Sequence, residues 1–149
     1  MLNVALYQPE IPPNTGNLIR LCANSGATLH LIHPLGFELD EKRLRRAGLD
    51  YHEWTRVIEH KDYDAFKAQL PGRLIACETG ATTCYADFEF QQDDTLLFGP
   101  ETRGLTADMV SNTNHSVYIP MKENIRSINL CNSVSIILFE AWRQLGFLG

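Results

Sequence analysis

The run Gly99–Leu105, with the sequence GPETRGL, is the segment whose residue types and position point most directly to chemistry. It follows the apolar segment Thr95–Phe98, which predicts a buried strand. Loops at the carboxyl ends of strands are where open α/β sheets bind small molecules. A phosphate-binding P-loop would need a lysine directly before Thr106, but Leu105 stands there. The segment therefore predicts a nucleotide-like site that lacks the main charge of a P-loop.

Other familiar catalytic motifs are absent from the sequence. It contains neither a Gly-x-Gly-x-x-Gly dinucleotide fingerprint nor a Gly-x-Ser-x-Gly nucleophile elbow. The five histidines lack metal-ligand spacing, and the four cysteines form no C-x-x-C pair. We therefore expect no metal, and nicotinamide or hydrolase chemistry has no support.

Length and composition bound the class of protein. A chain of 149 residues without linkers or repeats predicts one domain over residues 1–149. The longest wholly apolar run, Ile136–Phe139, is far shorter than a membrane span requires. No positively charged, apolar leader opens the sequence, and the cysteine pattern does not suggest an oxidising compartment. We expect a soluble cytoplasmic protein that does not associate with membranes.

The charge of the chain is unevenly distributed. A net charge of −5 argues against indiscriminate binding to nucleic acid. However, four basic residues fall within five positions, namely Lys42, Arg43, Arg45 and Arg46. From composition alone, this cluster is either a solvated helix face or a surface that contacts RNA.

Apolar runs and turn residues predict alternating strands and helices. The predicted strands are 2–7, 28–32, 55–59, 73–77, 95–98 and 116–119. The first predicted helix is capped by Asn14 and ends at Gly26. The other predicted helices cover 40–47, 62–70, 106–112 and 127–145. Because the strands are continuously apolar, we expect a parallel sheet covered by helices on both faces, an α/β/α domain.

The last predicted helix is apolar around most of its circumference. Val134 and Ile137 belong to one stripe, while Ile136, Phe139 and Trp142 extend over the rest. Such a helix must be covered on more than one side. In a short chain a second subunit is the expected cover, which predicts a homodimer, and the alternative is a central helix in a monomeric core.

Three segments resemble the three motifs of the SPOUT (SpoU-type) RNA 2′-O-methyltransferases. They are Pro12–Arg20 (PPNTGNLIR), Leu97–Leu105 (LFGPETRGL), and Ile119–Met121 together with Arg126–Asn132 (RSINLCN). Their order, spacing and strand-loop-helix context agree with the family, and the resemblance covers essentially the whole chain. It is strongest to the minimal members that act on tRNA without an added RNA-binding domain.

The resemblance implies an activity and a fold. The activity is methyl transfer from S-adenosylmethionine to the ribose 2′-OH of a tRNA nucleotide, the wobble pyrimidine at position 34 of leucine tRNAs. The alternatives are another tRNA or rRNA nucleotide, or a non-catalytic module that binds S-adenosylmethionine or RNA. The fold it implies contains a deep trefoil knot in the C-terminal half, an exception to the rule that chains do not thread their own loops.

Site residues carried over from the family lie in the three motifs and after the fourth strand. The expected cofactor-binding residues are Cys77, Glu78, Gly99, Pro100, Glu101, Gly104, Ile119, Met121, Ser127 and Leu130. Apolar side chains there can enclose an adenine ring, and backbone groups at strand ends can supply polar contacts.

Four residues are expected to take part in catalysis: Arg20, Asn14, Glu101 and Asn129. A guanidinium hardly ever gives up its proton, so we expect Arg20 to stabilise an alkoxide and a phosphate electrostatically. Glu101 either orients an arginine or is a solvated loop carboxylate. Asn14 and Asn129 either contact the substrate or cap helices.

A methyltransferase without a separate RNA-binding domain must hold RNA on its own surface. Under this resemblance, the expected RNA-binding residues are Lys42, Arg43, Arg45, Arg46 and His52. For His52 alone, an ordinary surface histidine is the better interpretation.

Overall fold

A computed structural model describes all 149 residues as an α/β domain. Its strands are β1 (Asn3–Tyr7), β2 (Thr28–Ile32), β3 (Val57–His60), β4 (Leu74–Cys77), β5 (Thr95–Phe98) and β6 (His115–Val117). Its helices are α1 (Pro12–Ser25), α2 (Glu41–Arg46), α3 (Tyr51–Trp54), α4 (Tyr63–Lys67), α5 (Ala107–Ser111) and α6 (Leu130–Gln144). A short 3₁₀ turn covers Tyr85–Asp87.

The six strands form one sheet in the order β3-β2-β1-β5-β4-β6, and every pair is parallel. The four residues of β4 and the four of β5 are all buried, as their continuous apolar sequences predict. The predicted parallel α/β sheet is therefore confirmed. Because β5, β4 and β6 are neighbours, the loops that follow them meet at one edge of the sheet.

Helices cover both faces of the sheet. The larger hydrophobic cluster joins α1 and α6 to one face, through residues such as Leu18 and Ile137. The smaller cluster joins α4 and α5 to the other face, through Phe66 and the half-buried Met109. None of the helices combines the length and hydrophobicity that crossing a bilayer would require.

Several helix boundaries differ from the predictions, and helix α4, predicted through residue 70, ends at Lys67. Helix α1 begins at Pro12, with Ile11 as the residue before it, so Asn14 lies inside the helix and does not cap it. Proline is accommodated in a first turn because the amide groups of that turn have no intrahelical acceptor. Helix α6 begins at Leu130 and not at 127. Helix α3 was not predicted, although Asp50 and Glu53 form a reciprocal capping box at its start.

Helix α6 packs one face on the sheet and leaves part of its apolar surface exposed. Val134, Ile137 and Leu138 are fully buried, whereas Phe139 keeps 38% of its surface exposed. Beyond the helix, Phe147 and Leu148 are 55% and 70% exposed. A single chain therefore covers only part of this apolar helix.

Candidate active site

A cleft of about 480 Å³ lies at the carboxyl ends of β4, β5 and β6, and we call it the carboxyl-end cleft. Three loops and the start of α6 form its walls, and the first turn of α1 closes one side. All ten residues expected to bind a cofactor line it: Cys77, Glu78, Gly99, Pro100, Glu101, Gly104, Ile119, Met121, Ser127 and Leu130. The structure thus brings together residues that are more than 50 positions apart in the sequence.

The loop after β5 turns back tightly on itself. The amides of Arg103 and Gly104 both donate to the carbonyl of Pro100, at 3.2 and 2.8 Å. A Cβ added to Gly99 would overlap the carbonyl carbon of Gly104 and the amide nitrogen of Leu105. Gly104 has a φ of +67°, in the left-handed region that favours glycine. Glycine at position 99 is therefore a steric requirement of this loop.

Two carboxylates tie this loop to the segment before α1. Glu101 accepts hydrogen bonds from the amides of Glu10, at 3.1 Å, and Ile11, at 2.5 Å. Glu10 in turn accepts from the amide and the hydroxyl of Thr102, at 3.1 and 2.7 Å. The hydroxyl of Thr102, followed by its amide, lowers the pKa of the Glu10 carboxyl.

This arrangement corrects the expectation that Glu101 orients an arginine. Its carboxylate is occupied by the backbone amides that lead into α1, and no arginine pairs with it. Glu10 was not among the predicted site residues. Nothing in the sequence motifs marks Glu10, because its partner, Thr102, is 92 positions away.

Asn14 and Asn129 both line the carboxyl-end cleft, and both accept a hydrogen bond from Cys131. The Asn14 side chain is buried and accepts a hydrogen bond from the Cys131 thiol at 3.3 Å. Burial raises the pKa of Cys131, which keeps the thiol protonated as the donor. Asn129 accepts from the amides of Cys131 and Asn132, so it is the N-terminal cap of α6. The capping alternative for Asn129 is confirmed, and the one for Asn14 is wrong.

Arg20 lies in a different cleft from the other three candidate catalytic residues. This second cleft, of about 550 Å³, lies between α1 and α2, and we call it the α1–α2 cleft. At 3.6 residues per turn and 1.5 Å per residue, Arg20 is about 120° around α1 from Asn14 and about 9 Å along it. Within one chain, the structure does not bring Arg20 to Asn14, Glu101 and Asn129.

The guanidinium of Arg20 is fixed by two acceptors. Its Nε donates to Glu53 Oε2 at 2.8 Å, and its Nη2 donates to the carbonyl of Gly48 at 2.5 Å. The hydrogen bond to Glu53 raises the pKa of Arg20 further above its ordinary range. Arg20 is therefore a permanent cation in this structure and cannot accept a proton.

The basic cluster on α2 is partly neutralised. Arg43 pairs with Asp40 and with Glu38, and Arg45 pairs with Glu41. The side chains of Lys42 and Arg46 form no ion pair or hydrogen bond. His52 is exposed on α3 with its ring against Tyr51. The free positive charge of the cluster is therefore concentrated on two of its four members.

Metal-binding groups do not assemble anywhere in the chain. No three His, Cys, Asp or Glu side chains come together in a suitable arrangement. His30 and His60, both buried, instead hydrogen-bond each other at 3.0 Å.

A fully parallel sheet, covered on both faces and with a cleft at the carboxyl ends of adjacent strands, defines an open α/β protein, a class that binds ligands at this edge of the sheet. Sequence comparison narrows this class. The family model described as the SpoU rRNA Methylase family matches residues 1–139, and the chain belongs to this family.

Individual relatives agree with this assignment. The chain is 55% identical to the tRNA (cytidine(34)-2′-O)-methyltransferase of Escherichia coli (strain K12), over 100% of this chain and 97% of the relative. A solved structure described as giving structural insights into the 2-OH methylation of C/U34 on tRNA has a TM-score of 0.89. It is 42% identical, and the match covers 98% of this chain and 97% of that one.

A more distant structure contains a ligand. The SpoU methyltransferase AviRb from Streptomyces viridochromogenes, in complex with the cofactor AdoMet, has a TM-score of 0.83 and 26% identity. The match covers 97% of this chain and 60% of that chain. The fold that holds AdoMet in that protein is thus the fold of this chain.

Proposed function

We propose that the chain is a single SPOUT methyltransferase domain that transfers a methyl group from S-adenosylmethionine to the ribose 2′-OH of the pyrimidine at tRNA position 34. The observation that carries this proposal is the carboxyl-end cleft, which gathers residues of all three motifs. The names of the relatives that match over nearly their full lengths support the tRNA substrate. The cytoplasm, where tRNA is abundant, is the proposed location.

The residues of the carboxyl-end cleft fit S-adenosylmethionine. Ile119, Met121 and Leu130 offer apolar surface for an adenine ring, and the turn at Gly99–Gly104 exposes backbone groups to a ligand. Glu78 and Glu101 add negative charge on a site for a sulfonium cation. When bound, S-adenosylmethionine supplies the electrophilic methyl group.

The chain's own contribution to the reaction is placement and charge. Methyl transfer requires a 2′-OH held in line and stabilisation of the alkoxide that develops as its proton leaves. We assign Arg20 to this electrostatic role, because Glu53 and Gly48 hold its guanidinium in one orientation and keep it charged. Asn14, on the wall of the cleft, is assigned to substrate positioning.

Arg20 must reach the carboxyl-end cleft for this mechanism to operate, and a homodimer provides a route. Because Arg20 faces away from the cleft of its own chain, a second copy would have to supply it. The exposed surface of Phe139, Phe147 and Leu148 offers apolar area for such an interface. We therefore propose that the active enzyme is a homodimer, which sedimentation at micromolar concentration tests directly.

The trefoil knot is also part of the proposal. Strand β6 lies at the sheet edge, yet α6, which follows it, packs on the opposite side of β4 against α1 and β5. The segment just after β6 pairs with the loop after β4, since Tyr118 exchanges backbone hydrogen bonds with Thr83 and Tyr85. This crossing of the 118–129 segment over the loop 78–94 supports threading of the chain through that loop.

The central experiment measures methyl transfer and its position. Purified protein, radiolabelled S-adenosylmethionine and a leucine tRNA transcript should yield label at nucleotide 34. A matched transcript with a 2′-deoxyribose at position 34 should accept none. Equal labelling of both transcripts would exclude position 34, and calorimetric binding of ATP in place of S-adenosylmethionine would overturn the methyltransferase assignment.

Leucine tRNAs are the proposed substrates among those with pyrimidine-34. Mass spectrometric mapping of RNA from a deletion strain tests this part separately, because the missing methyl group identifies the tRNA. Loss of the methyl from other tRNAs, with leucine tRNAs unchanged, would contradict it.

A further inference from the structure

The α1–α2 cleft is lined by apolar side chains that the carboxyl-end cleft does not use. Pro12 and Pro13 contribute from α1, and Phe37, Leu39 and Leu44 contribute from the opposite wall. Its volume, about 550 Å³, is within the usual range for sites that enclose small molecules. It lies on the other side of α1 from Asn14, so it is a separate site.

Phe37 is the most informative residue of this cleft. Its neighbours Leu35 and Leu39 pack against the main hydrophobic cluster, whereas Phe37 belongs to neither cluster. The ring is half-buried and has no aromatic partner in the chain. An aromatic face that the core does not use, in a cleft, is the usual platform for a stacked nucleobase.

The rim of the cleft carries the charge that a nucleotide requires. Arg20, Arg43 and Arg46 line it, and the one acidic lining residue, Glu38, pairs with Arg43 at 3.0 Å. Arg46 is unpaired, and Arg20 keeps its Nη1 group free, since its other nitrogens hold Glu53 and Gly48. The cleft therefore combines an apolar floor with guanidinium groups suited to phosphate.

We infer that the α1–α2 cleft binds an unpaired nucleobase of the RNA substrate, stacked on Phe37, with the adjoining phosphate on Arg46. This inference rests on the proposed function, because it takes the substrate to be RNA. It adds a nucleobase site beside the basic residues of α2, two of which, Arg43 and Arg46, line the same cleft. A single-stranded loop is the form of RNA that fits, since bases in a duplex cannot be inserted into a cleft.

The test is a coupling measurement between the protein and the RNA. The RNA is a stem-loop with the sequence of the tRNA anticodon arm, prepared with an abasic site at each loop position in turn. Binding to wild type and to Phe37→Ala is measured by fluorescence anisotropy at one salt concentration. Loss of stacking should weaken binding of the intact loop by between about 5-fold and about 150-fold.

The coupling distinguishes stacking from general damage. At the loop position whose base stacks on Phe37, the abasic RNA should bind wild type and Phe37→Ala equally, because the contact is already lost. When the abasic site is at any other loop position, Phe37→Ala should weaken binding by the same factor as it does with the intact loop. Phe37→Tyr and Phe37→Trp should bind close to wild type. Ile58→Ala, an exposed apolar residue on β3, is the matched control and should leave binding unchanged.

Parallel assays separate this inference from the proposed function. If wild type methylates full-length tRNA but Phe37→Ala loses the same factor against every abasic loop, or loses none, the nucleobase site is wrong and the methyltransferase stands. If wild type neither binds RNA nor transfers a methyl group, both are wrong. Calorimetry should find S-adenosylmethionine affinity unchanged in Phe37→Ala, which verifies that the fold is intact.

Discussion

Arg20 and Glu53 form an ion pair, with Nε 2.8 Å from Oε2, that joins α1 to the short helix α3. Glu53 has a second task, because its other carboxylate oxygen accepts from the amide of Asp50 and so completes the capping box of α3. The helix cap therefore fixes the carboxylate, and the carboxylate fixes the arginine. Pre-orientation of this kind lowers the entropic cost of using the guanidinium in a reaction.

Glu53→Gln should reduce turnover while leaving the fold intact. The amide keeps an oxygen for Asp50 but loses the charge that holds Arg20, so kcat should fall about 10-fold. The melting temperature and S-adenosylmethionine affinity should change little. Single-turnover methyl transfer measures the effect, and Glu59→Gln, in an exposed pair with His33, is the control. Equal losses in both variants would contradict a positioning role.

Arg20→Ala should lower turnover by a factor on the order of 100 or more, with cofactor affinity nearly unchanged. The reason is that the charge is needed only as the alkoxide develops. Arg20→Lys should restore little activity, because an ammonium cannot contact Glu53 and Gly48 in the planar arrangement of a guanidinium. Steady-state kinetics with tRNA tests this, and turnover like wild type in the alanine variant would remove Arg20 from the mechanism.

The unpaired cations of α2 should dominate RNA binding. The double variant Lys42→Ala/Arg46→Ala should reduce the slope of log affinity against log salt by up to about 2, since each phosphate contact contributes about 0.9. The matched variant Arg43→Ala/Arg45→Ala should change the slope less, because carboxylates already neutralise these side chains. Anisotropy titrations over a range of salt decide between the pairs. Identical slopes in both double variants would mean that the ion pairs open on binding.

Gly99→Ala should abolish cofactor binding, because the new methyl group would overlap the backbone at Gly104 and Leu105 and force the loop open. Gly16→Ala is the control. Its added methyl group would meet only Ala47 Cβ, at 3.9 Å, within an ordinary helix. Calorimetry with S-adenosylmethionine should separate the two, and retained affinity in Gly99→Ala would show that the loop is not part of the cofactor site.

The buried histidine pair should make the protein sensitive to acid. His30 Nε2 donates to Asn3 Oδ1 at 3.0 Å, so its Nδ1 must accept from His60 Nε2, and both rings are neutral. Burial, together with His60, lowers the pKa of His30 from 6.5 to about 4. The unfolded chain therefore takes up the proton first, and stability should be complete above pH 6.5 and fall as the pH approaches 4.

The size of this effect follows from the pKa difference. A group at 6.5 when unfolded and about 4 when folded corresponds to about 3 kcal/mol. Urea unfolding should show about 2 kcal/mol of this loss between pH 7.5 and pH 5, and the rest as the pH falls through 4. His30→Gln should flatten the dependence, whereas His52→Gln, on the exposed surface, should not. An unchanged slope in His30→Gln would assign the acid sensitivity to other groups.

The fold was largely predictable because its strands are short, continuous apolar runs. The segments 28–32 and 95–98 were predicted with their observed boundaries, since turn residues bracket them. The carboxyl-end cleft was predictable for a related reason, because loops that follow neighbouring parallel strands meet at one edge. The position of Gly99–Leu105 after a strand was enough to place that loop, whereas the other cofactor-binding residues were predicted from the resemblance to the family.

Contacts between distant side chains were not predictable in the same way. The pairing of Arg20 with Glu53 depends on how α3 docks on α1, and that of Glu101 with the amide of Ile11 joins positions 90 apart. No periodicity encodes such contacts. The neutralisation of Arg45 by Glu41 is different, because a spacing of four on a helix is visible in the sequence and indicates an ion pair.

The first turn of α1 separates the two clefts. Ile11 and Asn14 line the carboxyl-end cleft, and Pro12 and Pro13 line the α1–α2 cleft. The carboxylate of Glu101 accepts a hydrogen bond from the amide of Ile11, directly before this turn. A ligand that moves the loop after β5 therefore also moves the first turn of α1. Thermodynamic linkage then requires that a ligand in one cleft changes the affinity for a ligand in the other by the same factor in both directions. The route for any such coupling is the pair of hydrogen bonds from the amides of Glu10 and Ile11 to Glu101.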